Sequence, residues 1–128
     1  MAKQSKRILV LENDKDLREI IQNMLRFYGY EVVTALSVTQ ALELVKTLPP
    51  FVAIISDHKL PEINAVEFFK ILNRFVMPLP QLILSTTAVE ELIAEVPSLG
   101  LPLQLLPKPY SAQELLDLLS LDQEIRSA

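Results

Sequence analysis

Short apolar runs alternate along this chain with segments whose apolar residues recur at helical spacing, and few folds accept that alternation. The runs are Ile8–Leu11, Val32–Ala35, Phe51–Ile55, Gln81–Leu84 and Leu103–Leu106. Each is too short for a helix and most lack the in–out alternation of a half-exposed strand, so they read as strands buried on both faces of a parallel sheet. Between them, Leu17, Ile20, Ile21, Met24, Leu25 and Tyr28 fall on one helical stripe that stops at Gly29. Val38, Ala41, Leu42 and Val45 mark a second helix, and Ala65, Phe68, Phe69, Leu72 and Phe75 a third. Leu92, Ile93 and Val96 give a shorter fourth, and Leu115, Leu116, Leu118 and Leu119 a fifth. The order is βαβαβαβαβα. Parallel neighbours need a crossover of fixed hand, so strict alternation predicts an α/β sandwich with helices on both faces of the sheet.

Capping and breaking residues support these boundaries. Ser37 with Gln40 and Ser111 with Glu114 fit the capping box, Asn64 with Glu67 is a looser version, and Asp14 suits the start of the first helix. Pro49–Pro50, Met77–Pro80 and Pro97–Pro102 are expected between elements, where a missing backbone donor matters little. The stretch from Ser120 to Ala128 reads as a frayed helix end or the start of a connection. With 128 residues, half of them hydrophobic, the chain is expected to form one domain with a packed core. A net charge of −4 suits nucleic-acid phosphates poorly, which argues against direct DNA or RNA binding. There is no Cys for a disulfide or thiolate site, no apolar run of membrane-spanning length and no signal-peptide pattern after Met1. A soluble, cytoplasmic domain is the expectation.

In open parallel sheets, ligands bind beyond the carboxyl ends of the strands. The residues that follow each apolar run are therefore the informative ones. Glu12, Asn13 and Asp14 follow the first, and Ser56, Asp57, His58 and Lys59 the third. Ser85, Thr86 and Thr87 follow the fourth, and Lys108, between Pro107 and Pro109, the fifth. Each has a plainer role open to it. Asp14 can be a cap, Asp57 can cap its loop, Thr86 or Thr87 can start the helix before Glu90, and a lone His58 or an exposed Lys usually does nothing. Their convergence on one edge points instead to a site for an anion and a cation together.

Ile8–Arg18 (Ile-Leu-Val-Leu-Glu-Asn-Asp-Lys-Asp-Leu-Arg), Ile55–Pro61, Leu84–Ala88 and Lys108–Tyr110 together, in this order, resemble the receiver domain of bacterial two-component response regulators. The resemblance spans about residues 6–119. It implies a five-stranded parallel sheet in the flavodoxin-like order 2-1-3-4-5, within a single domain of core 6–120 and tail 121–128. It implies a signalling role and no enzymatic one. Asp57 stands where the family accepts a phosphoryl group from the phosphohistidine of a sensor histidine kinase or a histidine phosphotransfer protein. Lys108 matches the lysine that meets the phosphoryl oxygens, in a Lys–Pro bond that is usually cis. Thr87, with Thr86 as a competing assignment, matches the hydroxyl that swings toward the phosphate. Glu12, Asn13 and Asp57 match the positions that hold Mg²⁺. An output domain or partner protein is implied downstream, with no membrane or nucleic-acid partner.

The chain also departs from that pattern. Where the family has two acids, Glu12 is followed by the neutral Asn13, which lowers the carboxylate charge around a metal from three to two and predicts weak Mg²⁺ binding. Lys59 can lean into the site as a modulator or point to solvent. Asn64-Ala65 replaces the usual Asp-Gly, Leu105 replaces a rotating aromatic, and Tyr110 replaces a common Phe. These departures keep open a degenerate receiver that acts as a phosphorylation-independent interaction module. A small phosphatase using Asp57 as nucleophile is a third reading. Such enzymes usually place a second Asp two residues on, where this chain has Lys59.

Overall fold

The computed structural model describes residues 6–48, 50–76 and 78–127. Five strands alternate with five helices: β1 (Arg7–Leu11), α1 (Lys15–Phe27), β2 (Glu31–Ala35), α2 (Val38–Thr47), β3 (Ala53–Asp57), α3 (Ala65–Phe75), β4 (Gln81–Thr86), α4 (Val89–Leu99), β5 (Leu103–Pro107) and α5 (Ala112–Ser127). All strand pairs are parallel and the sheet order is β2-β1-β3-β4-β5. The order expected from the resemblance is thus the one found. Both β2 and β3 flank β1, so the chain reverses its direction of growth there and leaves a crevice beyond the strand ends.

Strand residues of alternate parity feed two separate cores. Leu9, Leu11, Ile54, Leu82 and Leu84 pack with α2, α3 and α4. Ile8, Val10, Ile55, Ile83 and Leu106 pack with Ile21 and Leu25 of α1 and with Leu115 and Leu119 of α5. Covering both faces explains why the runs are continuously apolar.

The predicted caps form. Asp14 Oδ1 accepts from the amides of Asp16 and Leu17 at 2.9 and 3.1 Å, and Asn64 Oδ1 accepts from Glu67 at 3.0 Å. Ser111 and Glu114 cap reciprocally, each side chain accepting the other's amide at 3.1 Å. At α2 the box is modified: Ser37 Oγ accepts from Gln40, but Gln40 Oε1 accepts from Leu36, one residue earlier than expected.

Several sequence-based expectations need correction. β3 begins at Ala53 and ends on Asp57, two residues later than the apolar run suggested. On α1 only Ile21 and Leu25 are fully buried, whereas Ile20 is 64% and Tyr28 54% exposed. The buried stripe is narrower than the apolar periodicity predicts, because the helix meets the sheet along a narrow seam. Ile93 is likewise exposed. Pro97 lies inside α4 rather than between elements, and the helix ends at Gly100 with φ of +67°, the left-handed conformation that glycine adopts readily. Proline's missing donor there falls near the helix end, on an exposed surface. Neither Thr86 nor Thr87 caps α4, whose N-cap is Ala88 with no side-chain bond. The backbone is helical through Ser127. The side chain of Phe75, placed above on the α3 stripe, lies outside the described residues, as do Met77 and Ala128.

Candidate functional site

Three strand ends supply the polar groups, and ladder register decides which of them meet. Glu12 directly follows β1, Asp57 closes β3, and Lys108 directly follows β5. The Lys108 ammonium donates to Asp57 Oδ1 at 3.1 Å and to Glu12 Oε1 at 3.2 Å. Lys108 is itself held by its amide, which donates to Thr86 O at 2.8 Å, and its bond to Pro109 is cis, as the resemblance implied. One cation thus bridges two carboxylates that the sequence separates by 45 residues. The side chains are 21% (Lys108), 19% (Asp57) and 4% (Glu12) exposed. Asp57 stands at the mouth and Glu12 is buried.

The electrostatics follow from that burial. Desolvation raises the Glu12 pKa above its ordinary 4.5, and the Asp57 charge adds to this. The Asp14 amide, which donates to Glu12 Oε2 at 3.2 Å, and the Lys108 ammonium oppose it without cancelling it. For Lys108, burial pulls the pKa down, yet the bond to Asp57 and the charge of Glu12 outweigh it, and the net shift is upward from 10.5. The contacts define a tight charge cluster of two anions and one cation.

A cleft of about 150 Å³ opens over Asp57, lined also by His58, Lys59, Thr86, Thr87, Ala88 and Lys108. Thr86 and Thr87 differ sharply. Thr86 ends β4, is buried, and its Oγ1 accepts from the Ala88 amide at 2.8 Å and lies 3.2 Å from His58 Nδ1. Thr87 is exposed at the rim. Asn13 is exposed and its Nδ2 donates to the Lys59 carbonyl at 3.3 Å. Lys59 is exposed as well and lines the same cleft, and its carbonyl is the group that Asn13 contacts.

Glu12, Asp57, the Asn13 amide oxygen and the Lys59 carbonyl offer the hard oxygens that Mg²⁺ takes. They fit the ion with a reduced charge, because only two are carboxylates and Lys108 already neutralises part of that. Among the described residues no three His, Cys, Asp or Glu side chains gather into a metal cluster.

Two further residues brace the loops around the site, and neither stands out in the sequence. Arg18 Nη1 donates to Glu12 O at 2.8 Å and pins the loop after β1. Glu62 Oε2 accepts from the Val38 amide at 2.9 Å, tying the loop after β3 to the start of α2. Ser85 sits directly across the ladder from Asp57, and its hydroxyl and that of Tyr110 are buried near one another. His58 is a lone histidine in the sequence, and its place directly after Asp57 is the signal that ties it to the site.

This constellation, at the carboxyl edge of a 2-1-3-4-5 sheet, defines a receiver, and comparison with known proteins agrees. Residues 8–120 match the family described as "Response regulator receiver domain", and the chain belongs to that family. It is 33% identical over 111 residues to "Response regulator MprA" of Mycobacterium sp. (strain KMS), covering 86% of this chain and 47% of that protein. A Mycobacterium ulcerans protein of the same name is 34% identical over 113 residues, 88% of this chain and 47% of its own length. The chain thus spans about half the length of these curated relatives. Among solved structures, the chemotaxis response regulator CheY4 of Vibrio cholerae has a TM-score of 0.77 at 26% identity, covering 91% of this chain and 98% of that one. The receiver domain of the hybrid histidine kinase CckA, at 22% identity and a TM-score of 0.74 over 90% of this chain and 96% of that one, shares the fold. Receivers are phosphoryl-accepting signalling domains, and this chain is one of them. Among the described residues no helix is long and apolar enough to cross a membrane.

Proposed function

We propose that this receiver takes its phosphoryl group on Asp57. The observation that carries the reading is the Lys108 ammonium 3.1 Å from Asp57 Oδ1 at the mouth of the cleft. Phosphoryl transfer needs little from a protein beyond positioning and charge neutralisation, and Lys108 supplies both. It holds Oδ1, which leaves Oδ2 as the nucleophile. An Oδ2–P bond forms as the P–N bond of a donor phosphohistidine breaks, and the bonding pair leaves on the imidazole nitrogen. The product is an acyl phosphate whose oxygens Lys108 can contact by releasing Glu12. Bound Mg²⁺, held by Glu12, Asp57 and the oxygens of Asn13 and Lys59, would supply further neutralisation of charge. Burial and hydrogen bonding favour Thr86 over Thr87 as the hydroxyl that answers the phosphoryl group.

A sensor histidine kinase or histidine phosphotransfer protein in the cytoplasm is the donor that fits this chemistry, and a partner or output domain reads the change. The intact Glu12–Lys108–Asp57 cluster supports this reading over a phosphorylation-independent one. Intact mass after incubation with acetyl phosphate and Mg²⁺ tests it. The expected result is a gain of one phosphoryl group that Asp57→Asn abolishes, whereas no gain, or a gain that survives the substitution, overturns it.

A further inference from the structure

The Thr86 hydroxyl carries one hydrogen, and a ring nitrogen of His58 lies within hydrogen-bond distance of its oxygen. Thr86 Oγ1 accepts from the Ala88 amide at 2.8 Å and meets His58 Nδ1 at 3.2 Å, its two hydrogen-bond partners among the described residues. We propose that His58 is a positioning residue: its Nδ1 accepts the Thr86 hydroxyl and holds it out of the phosphoryl site until Asp57 is modified. The inference rests on the phosphoacceptor reading and adds to it what sets the resting position of the hydroxyl.

The backbone gives this hold its rigidity. The His58 amide donates to Ser85 O at 2.9 Å, and its carbonyl accepts from Ala65 N at 2.9 Å. The ring is therefore carried on a residue anchored to β4 on one side and to the start of α3 on the other. Its backbone stays fixed while Thr86 turns, so rotation of Thr86 away from the ring breaks the Oγ1–Nδ1 bond. The hydroxyl can donate to His58 or to an incoming phosphoryl oxygen, but not to both. The opposite wall offers no substitute. Leu105 stands across the ladder from Leu84, on the sheet face to which Thr86 also belongs, and an aliphatic side chain there can neither hold the hydroxyl nor receive it. His58 then acts as a tax on the active arrangement, because the protein must populate the state with Thr86 released before a phosphoryl oxygen can be bound by it.

A double-mutant cycle on beryllofluoride affinity, in the presence of Mg²⁺, tests the proposal. His58→Phe keeps a ring and removes the acceptor, and His58→Asn keeps an acceptor on a shorter side chain. A neutral hydrogen bond of ordinary net strength predicts that His58→Phe binds beryllofluoride about two- to tenfold tighter than the unmodified protein. His58→Asn should lie near the unmodified protein. With Thr86→Val in the background, the His58→Phe effect should vanish. Nitrogen NMR of the His58 ring adds a readout that a merely structural role would not move: Nδ1 should be the unprotonated, accepting nitrogen, and Thr86→Val should change its shift. Unchanged affinity in His58→Phe, an equal change in the Thr86→Val background, or a protonated Nδ1 facing Thr86 overturns the proposal and leaves the phosphoacceptor reading intact. An unmodified protein that binds no beryllofluoride overturns the phosphoacceptor reading, and this proposal with it.

Discussion

Replacing Lys108 with Met removes the one cation that stands between Glu12 and Asp57 while keeping most of the side-chain volume. The two carboxylate oxygens lie 3.2 and 3.1 Å from a single nitrogen, so they are at most 6.3 Å apart, the sum of the two contacts. At an effective dielectric constant of about 20, two unit charges at that distance repel by about 2.6 kcal/mol, and by more if they are closer. Lys108→Met leaves that repulsion in place and removes both attractions to the ammonium, so it should lose on the order of 3 kcal/mol of stability at about pH 7.5, the cost of stripping one partner from a mostly buried cluster and a large share of the total for a small domain. The sign of the pH dependence follows from Glu12. Its folded pKa is raised above 4.5, mainly by burial, so protonation is favoured in the fold and an ionised Glu12 is a liability that disappears as pH falls through that raised value. The deficit of Lys108→Met should accordingly shrink at a second, lower pH, taken down toward 4.5, as the pair gains a proton. Urea unfolding at both pH values measures this, and Glu12→Gln in the same background should recover most of the loss at the higher pH. A variant as stable as the parent at pH 7.5, or one whose deficit ignores both pH and Glu12→Gln, would refute the shared-cation account.

Asn13→Asp restores a third carboxylate and should strengthen Mg²⁺ binding on the order of tenfold by calorimetric titration, since ligand charge sets affinity in such sites; equal affinity in the two proteins would show that Asn13 does not limit the ion. Burial first, then the Glu12 and Asp57 charges, raise the Tyr110 pKa above its ordinary 10.0 against the opposing effect of Ser85. In an alkaline absorbance titration Tyr110 should therefore ionise late, and Tyr110→Phe should delete that late step rather than an early one. With the folded value raised, its contribution to stability is present below pH 10.0 and fades as pH climbs through that value. Asp14→Ala strips α1 of an oxygen that accepts from two amides and should cost about 1 kcal/mol in urea unfolding; no change would mean that solvent caps the helix equally well.

The order of elements was readable from the chain because each local signal had one physical meaning. Unbroken runs such as Ile8–Leu11 can be satisfied only where both faces are covered, and Asp14, Asn64 and Ser111 cap helices wherever they stand before one. Asp57 and Lys108 could be singled out for the same reason, since both fall just beyond apolar runs. What the chain alone left undecided were distances between residues remote in sequence. That Lys108 reaches Glu12 as well as Asp57, that Thr86 is buried and Thr87 exposed, and that His58 faces Thr86 all depend on how β3, β4 and β5 are aligned. Register places side chains on one face or the other by a single-residue step. The same holds for surfaces: Ile20 and Tyr28 satisfy helical periodicity as well as Ile21 and Leu25 do, but only the packing of α1 against the sheet determines which of them water touches.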